Sequence, residues 1–148
     1  IGGNLMNASP AMETGSPLIA MGASVELRSA GGSRTVPVEE LWTGPGRTSA
    51  QPGELLTSVT VPALPAGSGS AYVRLEYRRA MEIAIVGAAA CVTLDGGSVA
   101  AARIALTAVG PTLLRSTAAE AAQVALARAR GEQFPIPATP AFMEGSAR

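Results

Sequence analysis

The residues at the start of the chain have types and spacing that suit ligand chemistry. They are Ile1-Gly2-Gly3-Asn4-Leu5, then Asn7-Ala8-Ser9-Pro10, with Glu13 shortly after. Paired glycines let a backbone turn sharply and approach a ligand with no Cβ in the way. Exposed N–H groups in such a turn, together with the Asn4 amide, can hold an anion. The same residue types also make ordinary turns, and the Ala8-Ser9-Pro10 continuation is what favours a ligand. Three later positions stand out beside them: Leu56 in Pro52-Gly53-Glu54-Leu55-Leu56, Arg74 in Tyr72-Val73-Arg74-Leu75, and Ile83 in Met81-Glu82-Ile83-Ala84.

What the chain lacks narrows the chemistry further. It has no histidine, so it supplies no Ser-His-Asp or Cys-His pair and no His-ligated metal site. Its one cysteine, Cys91, makes no internal disulfide and holds no four-cysteine cluster alone. Redox chemistry, if present, must come from an organic cofactor or a partner. Eleven basic and eleven acidic side chains balance, which argues against a field that steers nucleic acid or an anionic membrane. The longest apolar run, Ile83 to Leu94, is well short of the roughly 20 residues a membrane helix needs. With no basic stretch ahead of an apolar start, the expectation is a cytoplasmic protein without a leader.

The elements that must position these residues are legible from pattern. Ser16-Pro17 has the form of a cap and first helical position, opening a helix that stops at Gly22. Val25 and Leu27 alternate with charged residues as in a strand, with Gly31-Gly32 as the turn before a returning strand at Thr35–Val38. Glu39–Trp42 fits one helical turn, and Gly44–Gly53 reads as loop. Leu55–Val61 is a strand, and the proline- and glycine-rich stretch Pro62–Gly69 marks the boundary. Tyr72–Arg78 alternates with period two, putting Arg74, Glu76 and Arg78 on one face. Ile85–Leu94 and Arg103–Val109 are two more strands, joined as an antiparallel hairpin through Asp95-Gly96-Gly97. Ser116 or Thr117, with Glu120 three residues after Thr117, resembles a capping box for an alanine-rich helix ended by Gly131. Aromatics are 3% of the chain and alanine supplies much of its 47% apolar content, so the core must be made of small, tightly layered side chains.

Taken in order, Ile1-Gly2-Gly3-Asn4-Leu5 with Asn7-Ala8-Ser9-Pro10, Pro52-Gly53-Glu54-Leu55-Leu56 with Val59-Thr60-Val61-Pro62, and Arg78–Ala84 with Val86-Gly87-Ala88-Ala89-Ala90 resemble one known family. It is the FAD-binding subunit of molybdenum hydroxylases, the xanthine dehydrogenase and aerobic carbon monoxide dehydrogenase family. The resemblance implies an α+β fold: residues 1–66 as the end of a PCMH-type FAD-binding domain, and 67–148 as a small antiparallel sheet backed by helices. It implies FAD held by Gly2, Gly3, Asn4 and Ser9, with Glu13 where the family usually has an aspartate. Leu56 and Ile83 would lie by the flavin ring, the latter in a polar loop with a carboxylate. Arg74 matches a position where members often carry a lysine, and a cation there would stabilise negative charge on the reduced ring. Each has a plain structural alternative: a turn for the glycines, a surface carboxylate for Glu13, buried strand residues for Leu56 and Ile83, and a charge paired with Glu76 or Glu82 for Arg74. Cys91 reads as a small core residue and Trp42 as a packing anchor.

The family also implies partners, a [2Fe–2S] subunit and a molybdopterin subunit in a hetero-oligomer, with electrons relayed through FAD to an external acceptor. Its members carry a further glycine-rich flavin motif upstream and more helix downstream of Gly145-Ser146-Ala147-Arg148. The expectation is therefore an internal fragment that binds FAD poorly alone. Three other classes stand beside this reading: a non-catalytic interaction module, an FAD enzyme of the enolpyruvyl reductase type, and a nucleic-acid binder. Neutral charge and sparse aromatics disfavour the last.

Overall fold

Gly2–Asn7 forms a short helix, α1, where a glycine turn was expected. Neither glycine has a positive φ; the left-handed residue is Ala8, which caps the helix at φ 50° and sends its N–H back to Leu5 O. A second short helix, α2, covers Gly15–Ala20. The computed structural model describes residues 1–78 and 80–130, with side chains through Ala125. Strands β1 (Ser24–Ser29) and β2 (Gly32–Pro37) pair antiparallel, and β5 (Leu55–Thr60) joins on the other side of β1, giving the order β2-β1-β5. Between them, Val38–Glu40 is one 3-10 turn, and β3 (Trp42–Gly44) pairs with β4 (Arg47–Thr48). The expected loop thus begins with a hairpin, turned by Pro45 and Gly46 with Gly46 at φ 65°.

In the second half β6 (Ser68–Leu75), β7 (Val86–Asp95), β8 (Ser98–Thr107) and β9 (Leu114–Arg115) form an antiparallel sheet in sequential order. The expected hairpin joins β7 to β8: Asp95 pairs with Ser98, and Gly96 and Gly97 take φ 59° and 85° in the two-residue turn. β6 begins inside the glycine-rich stretch and ends at Leu75, so Glu76 and Arg78 stand beyond the strand. Helix α3 (Thr117–Arg130) packs along β8. Among the described residues, the partners of the Glu120 carboxylate lie outside the helix's first turn. Glu120 turns its buried carboxylate to the Ile104 amide (2.9 Å) and to Arg115 (3.0 and 3.2 Å). Burial alone would raise that carboxyl's pKa; the Arg115 and Ile104 bonds outweigh it and hold it below the usual value. The expected stop at Gly131 and the tail from Phe134 onward lie outside the described residues.

The core joins the two halves. Leu5, Leu18, Ile19, Val25, Leu27, Val38, Leu41 and Trp42 pack together with Ala105 of β8 and Leu113. Trp42 is a packing anchor in this cluster, and its indole N–H donates to Leu5 O at 2.9 Å, pinning α1. Cys91 is buried with Ala20 and Ala89, and burial pushes its thiol pKa up. Ser16 does not cap α2. The cap position is Thr14, and Ser16 is fully buried, its hydroxyl sharing a 2.7 Å hydrogen bond with Thr107 of β8.

Candidate functional site

The segment between α1 and α2, Ala8 to Thr14, is held from several directions. Ala8 O accepts from Gly46 N at 3.0 Å, which ties it to the β3–β4 hairpin. Pro10 O accepts from Ala108 N at 2.9 Å, and Met12 O from the Thr107 hydroxyl at 3.4 Å, which tie it to the end of β8. Locally, Ser9 O takes the Met12 N–H and Ser9 Oγ takes the Ala11 N–H, so the segment folds tightly on itself. Gly15 makes room for this arrangement. A Cβ there would overlap Leu113 Cδ1 and crowd Met12 Sδ and Trp42 Cη2.

Against this segment lies the connection from β6 to β7, and between them opens a cleft of about 340 Å³. Asn4, Asn7, Ser9, Glu13 and Thr14 line one side, and Glu82, Ile83 and Ala84 the other. Asn4 Oδ1 accepts from the Thr14 hydroxyl, linking α1 to the start of α2 on that side of the cleft. The β6–β7 connection is fastened at its base by the Ile85 N–H to Leu75 O bond (3.0 Å). Nearer its tip it is fastened by the Arg78–Glu82 pair (3.4 Å) and by Arg78 to Met81 O (2.9 Å). Its tip exposes Tyr77, Met81 and Ile83, which are 88%, 94% and 74% accessible. Met81 holds a positive φ of 51°, an unusual conformation for a long side chain.

Four of the eight singled-out residues, Asn4, Ser9, Glu13 and Ile83, thus meet in one cleft. Ile83 is exposed in a loop, not buried in a strand. Gly2 and Gly3 lie in the first turn of α1 beside Asn4, and a Cβ on Gly3 would meet nothing within 4 Å. Leu56 stands apart. It is half-buried on β5, packs against the core, and its Cδ2 lies 3.6 Å from where a Gly2 Cβ would be. Arg74 does not line the cleft; its guanidinium pairs with Glu13 and with Glu76, not with Glu82. Glu76 Oε2 meets Arg74 as an ion pair without the geometry of a hydrogen bond. Tyr72 is close enough to feel Glu13: its pKa is raised first by burial and then by the Glu13 charge. Its buried hydroxyl is near Thr107 but not in hydrogen-bonding geometry. Asn7 stood in the Asn7-Ala8-Ser9-Pro10 motif without being singled out, and Thr14, in no motif, could be found only once α1 and α2 were placed. Glu82, adjacent to Ile83, carried a signal as the carboxylate of its loop.

Among the described residues no group of acidic, cysteine or histidine side chains could hold a metal ion. None of the described helices is long and apolar enough to cross a membrane. Polar amides, hydroxyls and two carboxylates, with no cation among the described residues that line it, suit a ligand rich in hydroxyl groups.

Two sequence families match. Residues 1–64 match the FAD binding domain in molybdopterin dehydrogenase, and residues 71–125 the CO dehydrogenase flavoprotein C-terminal domain. The chain is 42% identical over 121 residues to the 6-hydroxypseudooxynicotine dehydrogenase complex subunit alpha of Paenarthrobacter nicotinovorans, covering 81% of this chain and 40% of that one. It is 34% identical over 120 residues to the xanthine dehydrogenase FAD-binding subunit of Escherichia coli O157:H7, covering 80% and 41%. Among solved structures, it resembles carbon monoxide dehydrogenase from Hydrogenophaga pseudoflava lacking the Mo-pyranopterin moiety of its molybdenum cofactor. That likeness has a TM-score of 0.79 at 36% identity and covers 90% of this chain and 44% of that one. The chain spans about two fifths of the length of the curated relatives it matches. With part of an FAD-binding domain followed by an antiparallel C-terminal sheet and helix, it belongs to the FAD-binding medium-subunit family of the xanthine and carbon monoxide dehydrogenases.

Proposed function

We propose that this chain contributes to the flavin-binding, electron-relaying subunit of a cytoplasmic molybdenum hydroxylase, with a [2Fe–2S] subunit and a molybdopterin subunit as partners. In that reading residues 1–66 are the end of the FAD-binding domain and residues from 67 onward the C-terminal domain. The observation that carries it is the meeting of Asn4, Ser9, Glu13 and Ile83 in one cleft of about 340 Å³, within the size range of ligand pockets.

The residues present fit part of FAD. Glu13 and Glu82 would accept hydrogen bonds from hydroxyl groups of the cofactor, and Asn4 and Ser9 would offer an amide and a hydroxyl to the same part of it. Two carboxylates make the cleft itself a poor place for phosphates. These suit the first turn of α1, where the amides of Gly2, Gly3 and Asn4 have no intrahelical acceptor and Gly3 leaves room for close approach. Ile83 supplies an apolar wall that keeps water from one side, and Leu56 supports Gly2 from beneath. Bound FAD supplies the redox chemistry, taking up electrons and passing them to an external acceptor. The chain's own part is to bind, orient and shield.

A second reading, a protein-docking module that keeps only part of a flavin site, is favoured by the exposed Tyr77, Met81 and Ile83. Capture of the native polypeptide from its source, with flavin, iron and molybdenum assayed, separates the two. A yellow complex carrying both metals is expected. A colourless polypeptide without them would remove the flavin reading and leave the docking module.

A further inference from the structure

Arg74 stands on β6 in the second half of the molecule, yet its guanidinium reaches Glu13 in the first half, and its other amino group reaches Glu76. Glu13 lines the cleft and Arg74 does not. The backbone around Glu13 is already fixed, through Pro10 O to Ala108 and Met12 O to Thr107, so the carboxylate's own side-chain torsions are what remain to be set. Arg74 is suited to setting them. It is permanently charged, it has a rigid fork of donors, and both ends of that fork are taken up by carboxylates from separate segments. The pair is partly sheltered, with 29% of the Arg74 side chain and 38% of the Glu13 side chain accessible.

We infer that Arg74 is a positioning residue that acts on the ligand only through Glu13, aiming that carboxylate into the cleft and offsetting its charge beside a phosphate-bearing ligand. The inference rests on the FAD reading and assigns Arg74 a place behind the cleft wall, not against the flavin ring. Glu76 holds the guanidinium from the far side, so the three groups form a relay from β6 to the cleft.

The test is a double-mutant cycle in the full native polypeptide, read as FAD affinity by equilibrium titration and as stability by urea unfolding. Arg74→Gln is expected to weaken FAD binding about tenfold, the size of one charge-assisted hydrogen bond. In a Glu13→Gln background the same change is expected to cost at most about twofold, because the carboxylate it positions is gone. Arg74→Lys restores the charge without the fork and is expected to recover part of the loss. Equal losses in both backgrounds would overturn the inference, since Arg74 would then touch the ligand itself. Unchanged affinity with a lowered urea midpoint would overturn it too, leaving a purely structural ion pair. If the unmutated polypeptide binds no FAD, the flavin reading fails first and this inference falls with it.

Discussion

The two halves of the molecule differ in the side chains that do most to close them. The first closes its interior with large residues, Leu5, Ile19, Val25, Leu27, Leu41 and Trp42, all at most 7% accessible. The sheet of the second buries mostly small residues, Ala89, Cys91, Ala105 and Thr107, with Val99 the larger exception, and turns Val73, Leu75 and Leu114 outward at 51–57% exposure. On that inner face Gly87 leaves space for the Tyr72 ring. The small residues bring α2 close to β7 and β8, and this closeness lets Ser16 meet Thr107 and lets the Ala8–Thr14 segment hang from the end of β8. The cleft is therefore a product of the contact between halves, not of either one alone.

Truncations to alanine on the two sides should sharpen that contrast most. Leu27→Ala, at 0% exposure in the central strand of the first sheet, is expected to cost about 3 kcal/mol in urea unfolding. Val73→Ala, on the outward face of β6, should stay within about 0.5 kcal/mol. Comparable losses would mean that the outer face of the second sheet is covered after all. Next comes the junction. Gly15→Ala puts a methyl into Leu113, Met12 and Trp42 and is expected to cost about 2 kcal/mol by overpacking. A neutral result would show that the halves are loosely joined there.

Ser16→Ala tests the same junction through a hydrogen bond. Thr107 keeps a longer contact to Met12 O, so the expected loss is about 1 kcal/mol. The smallest effect belongs to the rim of the first half. There Glu54 accepts from Arg34 at 2.8 Å twice and from Gln51 N at 2.7 Å, which lowers its pKa from 4.5 to about 2. A lowered carboxylate pKa adds stability above the unfolded value, and this is lost as pH falls from about 4.5 toward about 2. Glu54→Gln should flatten the urea midpoint across that window and leave the junction variants' losses unchanged.

How far the fold could be read from sequence also differs between the halves. The β7–β8 hairpin was plain, because Gly96-Gly97 between alternating apolar runs admits few other turns. The β3–β4 hairpin was not. Its strands are three and two residues long, too short for a period to register, and its role in holding Ala8 through Gly46 is a tertiary contact. Ser16 and Glu120 misled for one shared reason. Each has the local form of a helix-capping residue, and each instead satisfies a partner distant in sequence, the buried Thr107 or the half-buried Ile104 amide. At the cleft, Asn4, Ser9, Glu13 and Ile83 were reachable through motifs. Arg74 stood out as a cation, and Glu76 was among its expected partners; Glu13 was not, since 61 residues separate the two.

The most direct test of the flavin reading is an amide chemical-shift titration of the isotope-labelled native polypeptide with FAD. The account predicts that the largest perturbations fall on Gly2, Gly3, Asn4, Ser9, Glu13 and Ile83, with the distant Gly96-Gly97 turn unmoved. Saturating FAD that leaves those cleft amides unchanged, or moves the far turn instead, would contradict it.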